Sequence, residues 1–200
     1  MKNQTLYKYI LFIIGAFFLG AGIALSDIAH LGVDPMSVMI LGASYHLPIT
    51  FGMTNFALSV LQILISYFLD KKNITLATIL AMLFTSFGID AVGAFQIQTP
   101  EAPWNFLVLI LGFLVYCISV AVCQFPHCGY NSYDCVVFGI MKHTGKPYHT
   151  IRWFVDITYL LIGWLLGGTV GIGTVIVMLF AGYIIEYMLK FLNKVLPHAE

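Results

Sequence analysis

Apolar residues run along this chain in blocks of about twenty, broken by short polar stretches, with neither the strict alternation of a surface strand nor the one-sided stripe of a surface helix. The long blocks fall at 9–29, 51–69, 75–95, 105–126, 150–168 and 173–193. A bilayer core of about 30 Å takes about 20 helical residues, so each block is long enough to cross. Two shorter runs, 35–46 and 132–142, are too short to cross comfortably. The pattern predicts an all-α integral membrane protein with six transmembrane helices and two short re-entrant half-helices. The first block has spanning length and no convincing cleavage site, which argues against a secretory signal peptide.

Each short run follows a long one in the same relative place, which points to a repeat. An offset of 97 pairs His30 with His127, Gly32 with Gly129, Gly42 with Gly139 and His46 with His143. Asp34 then faces Asn131, both natural helix caps. One deletion later the offset is 96, and Thr78 meets Thr174 and Asp90 meets Glu186. Residues 1–100 and 101–200 are therefore expected to be two copies of a unit of three spans and one half-helix.

Composition and charge agree with a lipid environment and add orientation. Hydrophobic residues make up 60% of the chain and charged ones 9%, and mean hydropathy is +0.93, far from the balance of a water-soluble domain. Net charge is zero, so the total says nothing about acidic or basic partners. The placement of the basic residues says more, because Lys and Arg near span ends favour the cytoplasm. With re-entrant half-helices and an internal N-terminus, the second repeat is inverted. Lys2, Lys8, Lys71, Lys72, Lys142, Lys146, Arg152, Lys190 and Lys194 then all fall inside. Crossing half-helices would instead put Lys71 and Lys72 outside. Both termini are expected in the cytoplasm.

Chemistry is expected where the half-helices begin. Asp34 precedes Pro35, a favourable first helical residue, and Asn131 caps the second half-helix with Asp134 three residues on, an approximate capping-box spacing. Two helix N-termini converging at mid-membrane offer free N–H groups and positive dipole ends, the arrangement by which secondary transporters build solute sites. The alternative is that both segments merely plug a helix bundle. Asp34, Asn131 and Asp134, with His30 and His127 in the preceding limbs, are the candidate solute-binding residues. Arg152 and Asp156, one helical turn apart, are a candidate ion pair, and Asp90 and Glu186 a candidate gate. Ionisable groups within spans are costly and usually functional, although Arg152 near an interface can also simply snorkel.

Other chemistry finds no support. Cys117, Cys123, Cys128 and Cys135 show no CxxC pair and read as small packing residues. No metal-ligand spacing, phosphate loop or nucleophile elbow occurs, so no metal, cofactor or catalytic activity is expected. The basic residues form a belt rather than a nucleic-acid patch.

Several short motifs resemble the YczE/YitT-type bacterial membrane proteins over nearly the whole chain. They are GAGIAL at 20–25, LGVDPMSVMILG at 31–42, FGID at 87–90, Arg152 with Asp156, and GIGT at 171–174. The resemblance implies a multi-pass protein of the bacterial cytoplasmic membrane, in a family without an established activity. Aquaporin-like proteins also pair two half-helices, but theirs follow the second span of each unit and begin Asn-Pro-Ala.

The expected function is a small-solute transporter or facilitator, its solute polar or zwitterionic, its site between the repeats. The competing expectation is an accessory membrane protein that binds a partner protein and transports nothing. A homo-oligomer is compatible with either.

Overall fold

The computed structural model describes residues 2–99 and 101–195; the side chains of residues 2–5, Lys2 among them, lie outside that description. Among the described residues the regular structure is helical, without a strand. Eight α-helices follow in order: α1 Lys2–Ile28, α2 Pro35–Ser44, α3 Phe51–Asp70, α4 Leu76–Gly93, α5 Trp104–Gln124, α6 Ser132–Thr144, α7 Tyr148–Leu165 and α8 Ile172–Val195, with a 3₁₀ turn at Lys71–Asn73.

Among the described residues five helices are long and apolar enough to cross a membrane: Leu6–Ile28, Phe51–Asn73, Leu76–Gly93, Trp104–Gln124 and Ile172–Val195. The sixth expected span, α7, falls short in apolarity because Tyr148, His149, Thr150, Arg152 and Asp156 occupy its first half. The short helices form where expected, with shifted ends. Helix α2 stops at Ser44, two residues early, in a turn where Tyr45 N–H donates to the Leu41 carbonyl. Helix α6 runs to Thr144, two residues late, until Gly145 takes the left-handed conformation (φ 66°) and ends it. That conformation is cheap only without a Cβ.

The helices start at regular intervals. Helix α6 begins 97 residues after α2, α7 97 after α3, and α8 96 after α4. The turns before the short helices match as well, since His30 and His127, 97 apart, both have positive φ (49° and 50°). Packing exchanges the partners: α2 lies against α7, and α6 against α3. Each contact is made close by a glycine. A Cβ on Gly42 would meet Leu166 Cβ at 2.9 Å, and one on Gly139 would meet Leu69 Cβ at 2.8 Å. Leu69 and Leu166 are again 97 apart.

Helix α1 packs between α4 and α5. Its contacts include Gly20 against the Thr85 carbonyl and Gly22 against the Tyr116 backbone. A core of Leu19, Ile23, Ile89, Phe113, Cys117, Val120, Val177 and Ala181 fills the space between α1, α4, α5 and α8. The outer surface carries large apolar side chains such as Phe68, Phe87, Phe154, Leu165 and Tyr183, as lipid-facing helices should.

Helix α3 is built inside out. Asn55, Ser59, Gln62 and Ser66, spaced 4, 3 and 4 residues apart, are buried, while Leu61, Leu64 and Phe68 on its other faces are exposed. A 3.6-residue period puts the four polar residues on one stripe, and that stripe faces the protein interior. The four cysteines are free.

Candidate functional site

The polar stripe of α3 leads to the point where the two short helices begin. Gln62, with no exposed surface, donates from Nε2 to Tyr159 Oη of α7 at 2.8 Å, and the same nitrogen lies 3.7 Å from Met36 Sδ in the first turn of α2. Its Oε1 accepts from Ser132 Oγ, the first residue of α6, at 2.8 Å. One amide midway along α3 therefore touches the N-terminal turns of both α2 and α6. Gln62 and Tyr159 are also 97 residues apart, so positions matched in the two halves meet there directly.

The caps form as their residue types dictate. Asp34 Oδ1 accepts from Ser37 N at 3.2 Å and Asn131 Oδ1 from Asp134 N at 2.7 Å. The expected capping box at α6 is only half made. The Asp134 carboxylate does not return to the helix start; it accepts from Tyr148 Oη at 2.7 Å instead. A hydroxyl on the neighbouring helix wins because α7 packs against this turn, and the pairing ties the start of α6 to the start of α7.

Around it lies a charged cluster. Tyr133 Oη donates to Asp156 Oδ1 at 2.7 Å, and Arg152 Nε sits 3.7 Å from Asp156 Oδ2. Arg152 also makes a long 3.4 Å hydrogen bond to Tyr148 Oη and lies 5.8 Å from the Tyr133 ring centroid, within cation–π range. One cation thus sits with one carboxylate, Asp156, and two tyrosines, Tyr133 and Tyr148, from α6 and α7. Arg152 has five donors, and the two contacts just given leave its planar fork without a bidentate partner. In the other half the positions matching Arg152 and Asp156 are Asn55 and Ser59. There Asn55 Nδ2 donates to Ser86 Oγ at 2.8 Å.

The remaining candidates lie elsewhere. His30 and His127 are exposed in their turns. Asp90, near the end of α4, accepts from Thr50 Oγ1 at 2.7 Å and from Gly52 N at 2.9 Å, fastening the start of α3. Its match Glu186 is exposed and pairs with Lys190 at 2.7 Å within α8, so the two sit in different surroundings. No group of three His, Cys, Asp or Glu residues suited to a metal occurs among the described residues. Two surface indentations, of about 370 and 410 Å³, lie on the flanks; neither is lined by Arg152, Asp34 or Asp134.

Gln62, Ser132, Tyr133, Tyr148 and Tyr159 were not singled out from the sequence. The signal for Gln62 was its place in the 4-3-4 polar stripe of an otherwise apolar block. For the tyrosines no local signal exists, because Tyr is common at membrane interfaces and only the fold brings these hydroxyls to carboxylates.

Two curated bacterial relatives resemble the chain over nearly its full length. An uncharacterized protein of Haemophilus influenzae is 26% identical over 194 residues, covering 96% of this chain and 88% of the relative. The uncharacterized membrane protein YczE of Bacillus subtilis is 20% identical over 200 residues, covering 100% of this chain and 93% of the relative. No solved structure matches. A family model described as a family of unknown function, DUF6198, matches residues 6–190, and the chain, a membrane protein, belongs to that family.

Proposed function

We propose that this protein is a small-solute transporter or facilitator of the bacterial plasma membrane, built from two inverted repeats of three spans and a half-helix, with both termini in the cytoplasm. The observation that carries the proposal is the contact of Gln62 with the first turns of both α2 and α6. Two helices that start inside the protein, midway along a spanning helix, present unpaired N–H groups and positive dipole ends at one place, and such broken helices serve as solute sites in secondary transporters. The constant offsets of 97 and 96 and the exchanged packing of α2 on α7 and α6 on α3 support the repeat. With this inversion every Lys and Arg falls on the cytoplasmic side, as span-end cations favour.

The charged cluster points to the solute class. Asp156, which touches Arg152, and Asp134, joined to it through Tyr148, outnumber the cation by two to one, which suits an ammonium group. Arg152 and the helix N-termini suit a carboxylate. A zwitterion satisfies both. On this proposal Asp34, Asn131, Asp134 and Gln62 line the site and Arg152 with Asp156 forms an ion pair on its cytoplasmic side, about 10 Å of helical rise below Tyr159. His30 and His127 stand at the outer ends of the limbs. Asp90 and Glu186 are gate residues at opposite faces. The chain moves a solute and catalyses no reaction.

A second proposal, an accessory protein that transports nothing, is favoured by the position of the two indentations on the flanks and by the cluster's side chains being engaged with one another. Proteoliposomes decide between them. Radiolabelled alanine, glycine betaine, lysine and glutamate are presented to liposomes holding the wild-type protein or Gln62→Leu. Uptake of a zwitterion above empty liposomes, lost in the variant, supports transport. Flux of none of these probes, with the wild type folded, favours the accessory role.

A further inference from the structure

The indentation of about 410 Å³ is lined by Asp70, Asn73, Tyr130, Phe138, Met141, Lys142, Gly145 and Lys146. It lies beside the second half of α6, between the Tyr130 ring, which folds back onto Phe138, and Lys146, just past the helix end. From Phe138 to the end of α6 at Thr144 the helix rises about 9 Å. One end of the groove is aromatic, with Tyr130 and Phe138 ring centroids 4.6 Å apart. The other end is basic. Lys142 pairs with Asp70 at 2.9 Å yet keeps 55% of its side chain exposed. Lys146 is exposed, and Lys71 and Lys72 of the adjoining 3₁₀ turn are exposed beside Asp70. Four cations against one carboxylate leave a positive rim over an apolar and aromatic furrow.

We propose that this groove binds an anionic phospholipid, its phosphate between Lys142 and Lys146 and an acyl chain along Phe138 toward Tyr130. Basic pockets between helices at the cytoplasmic side, where the proposed topology puts this one, hold anionic headgroups through charge, and a furrow with one aromatic and one charged end has the polarity of a lipid. The bilayer supplies the occupant at high local concentration. The Phe138 ring also lies 5.4 Å from that of Tyr148, the residue whose hydroxyl bonds Asp134, so a lipid chain seated there touches the ring that braces the charged cluster.

The test is native mass spectrometry of the full chain, released from detergent containing equal amounts of phosphatidylglycerol and phosphatidylcholine of the same acyl composition. Wild type retains phosphatidylglycerol over phosphatidylcholine by roughly tenfold at low salt. Lys142→Gln with Lys146→Gln abolishes the preference, while Lys142→Arg with Lys146→Arg keeps it, which separates charge from folding damage. Lys190→Gln with Lys194→Gln, at the end of α8, leaves it unchanged. An equal loss in the α8 variant would overturn the proposal in favour of diffuse surface charge. Displacement of the lipid by millimolar inorganic phosphate would overturn it in favour of a free-anion site.

Discussion

Gln62 is the residue whose replacement tests the central junction most directly. It has no exposed surface, gives one hydrogen bond to Tyr159 and accepts one from Ser132, each at 2.8 Å. Leu fills nearly the same volume, so Gln62→Leu removes two hydrogen bonds and leaves little cavity. Hydrogen bonds between helices in lipid average about 0.6 kcal/mol and reach about 1.7, whereas an orphaned buried hydroxyl costs about 1–3 kcal/mol. Ser132 can turn to water or backbone more readily than Tyr159, whose hydroxyl is fixed at the end of a rigid ring. The expected loss for Gln62→Leu is therefore about 2 kcal/mol, more than half of it carried by Tyr159. A double-mutant cycle with Tyr159→Phe isolates that share, because the double variant removes both partners together. The measurement is reversible unfolding in mixed micelles of dodecylmaltoside and sodium dodecyl sulfate, followed by tryptophan fluorescence. A coupling of about 1 kcal/mol is expected. Effects that add to within about 0.3 kcal/mol would show that α3 and α7 do not meet through this pair, and the junction of the two halves would lose its main support.

Three further outcomes follow from the geometry. In cells whose native cysteines are replaced, Glu101→Cys is labelled from outside by an impermeant maleimide and Lys71→Cys is not; the reverse pattern would remove the inverted topology. Asp156→Asn alone lowers stability more than Arg152→Gln with Asp156→Asn, since a lone guanidinium in the interior is costlier than a neutral pair; a double variant as harmful as the sum of the singles in the same unfolding assay contradicts the pairing. Gly163→Ala costs about 1–3 kcal/mol, because its Cβ would meet the backbone of Val38 and Met39 in α2. Gly139→Ala costs less, since only the Leu69 side chain stands in its way; equal losses for the two would show that α2 and α7 do not pack backbone to backbone.

The sequence alone determined the membrane environment, the helical class and the places where helices start. Those properties are local. Twenty apolar residues in lipid have no alternative to a helix, and Asp34-Pro35 and Asn131-Ser132 cap and open helices by their own chemistry, which is why both short helices begin at the expected residue. The offset of 97 was also visible, because it is carried by identical glycines and histidines at matched places in the two halves. Tertiary structure decided what those starts point at. Helix α2 rests on α7 as well as on its chain neighbour α3, and Gly42 and Gly163 make the α7 contact close across 121 residues of chain. Asp134 turns from its expected cap to Tyr148, and Asp90 and Glu186, matched in sequence, take unrelated partners. A hydrogen bond goes to whichever group packing brings within about 3 Å, and no local pattern records that distance. Gln62 shows the division most plainly: its polarity and its place on the 4-3-4 stripe are written in the chain, but its three partners come from α2, α6 and α7, and only the folded bundle assembles them.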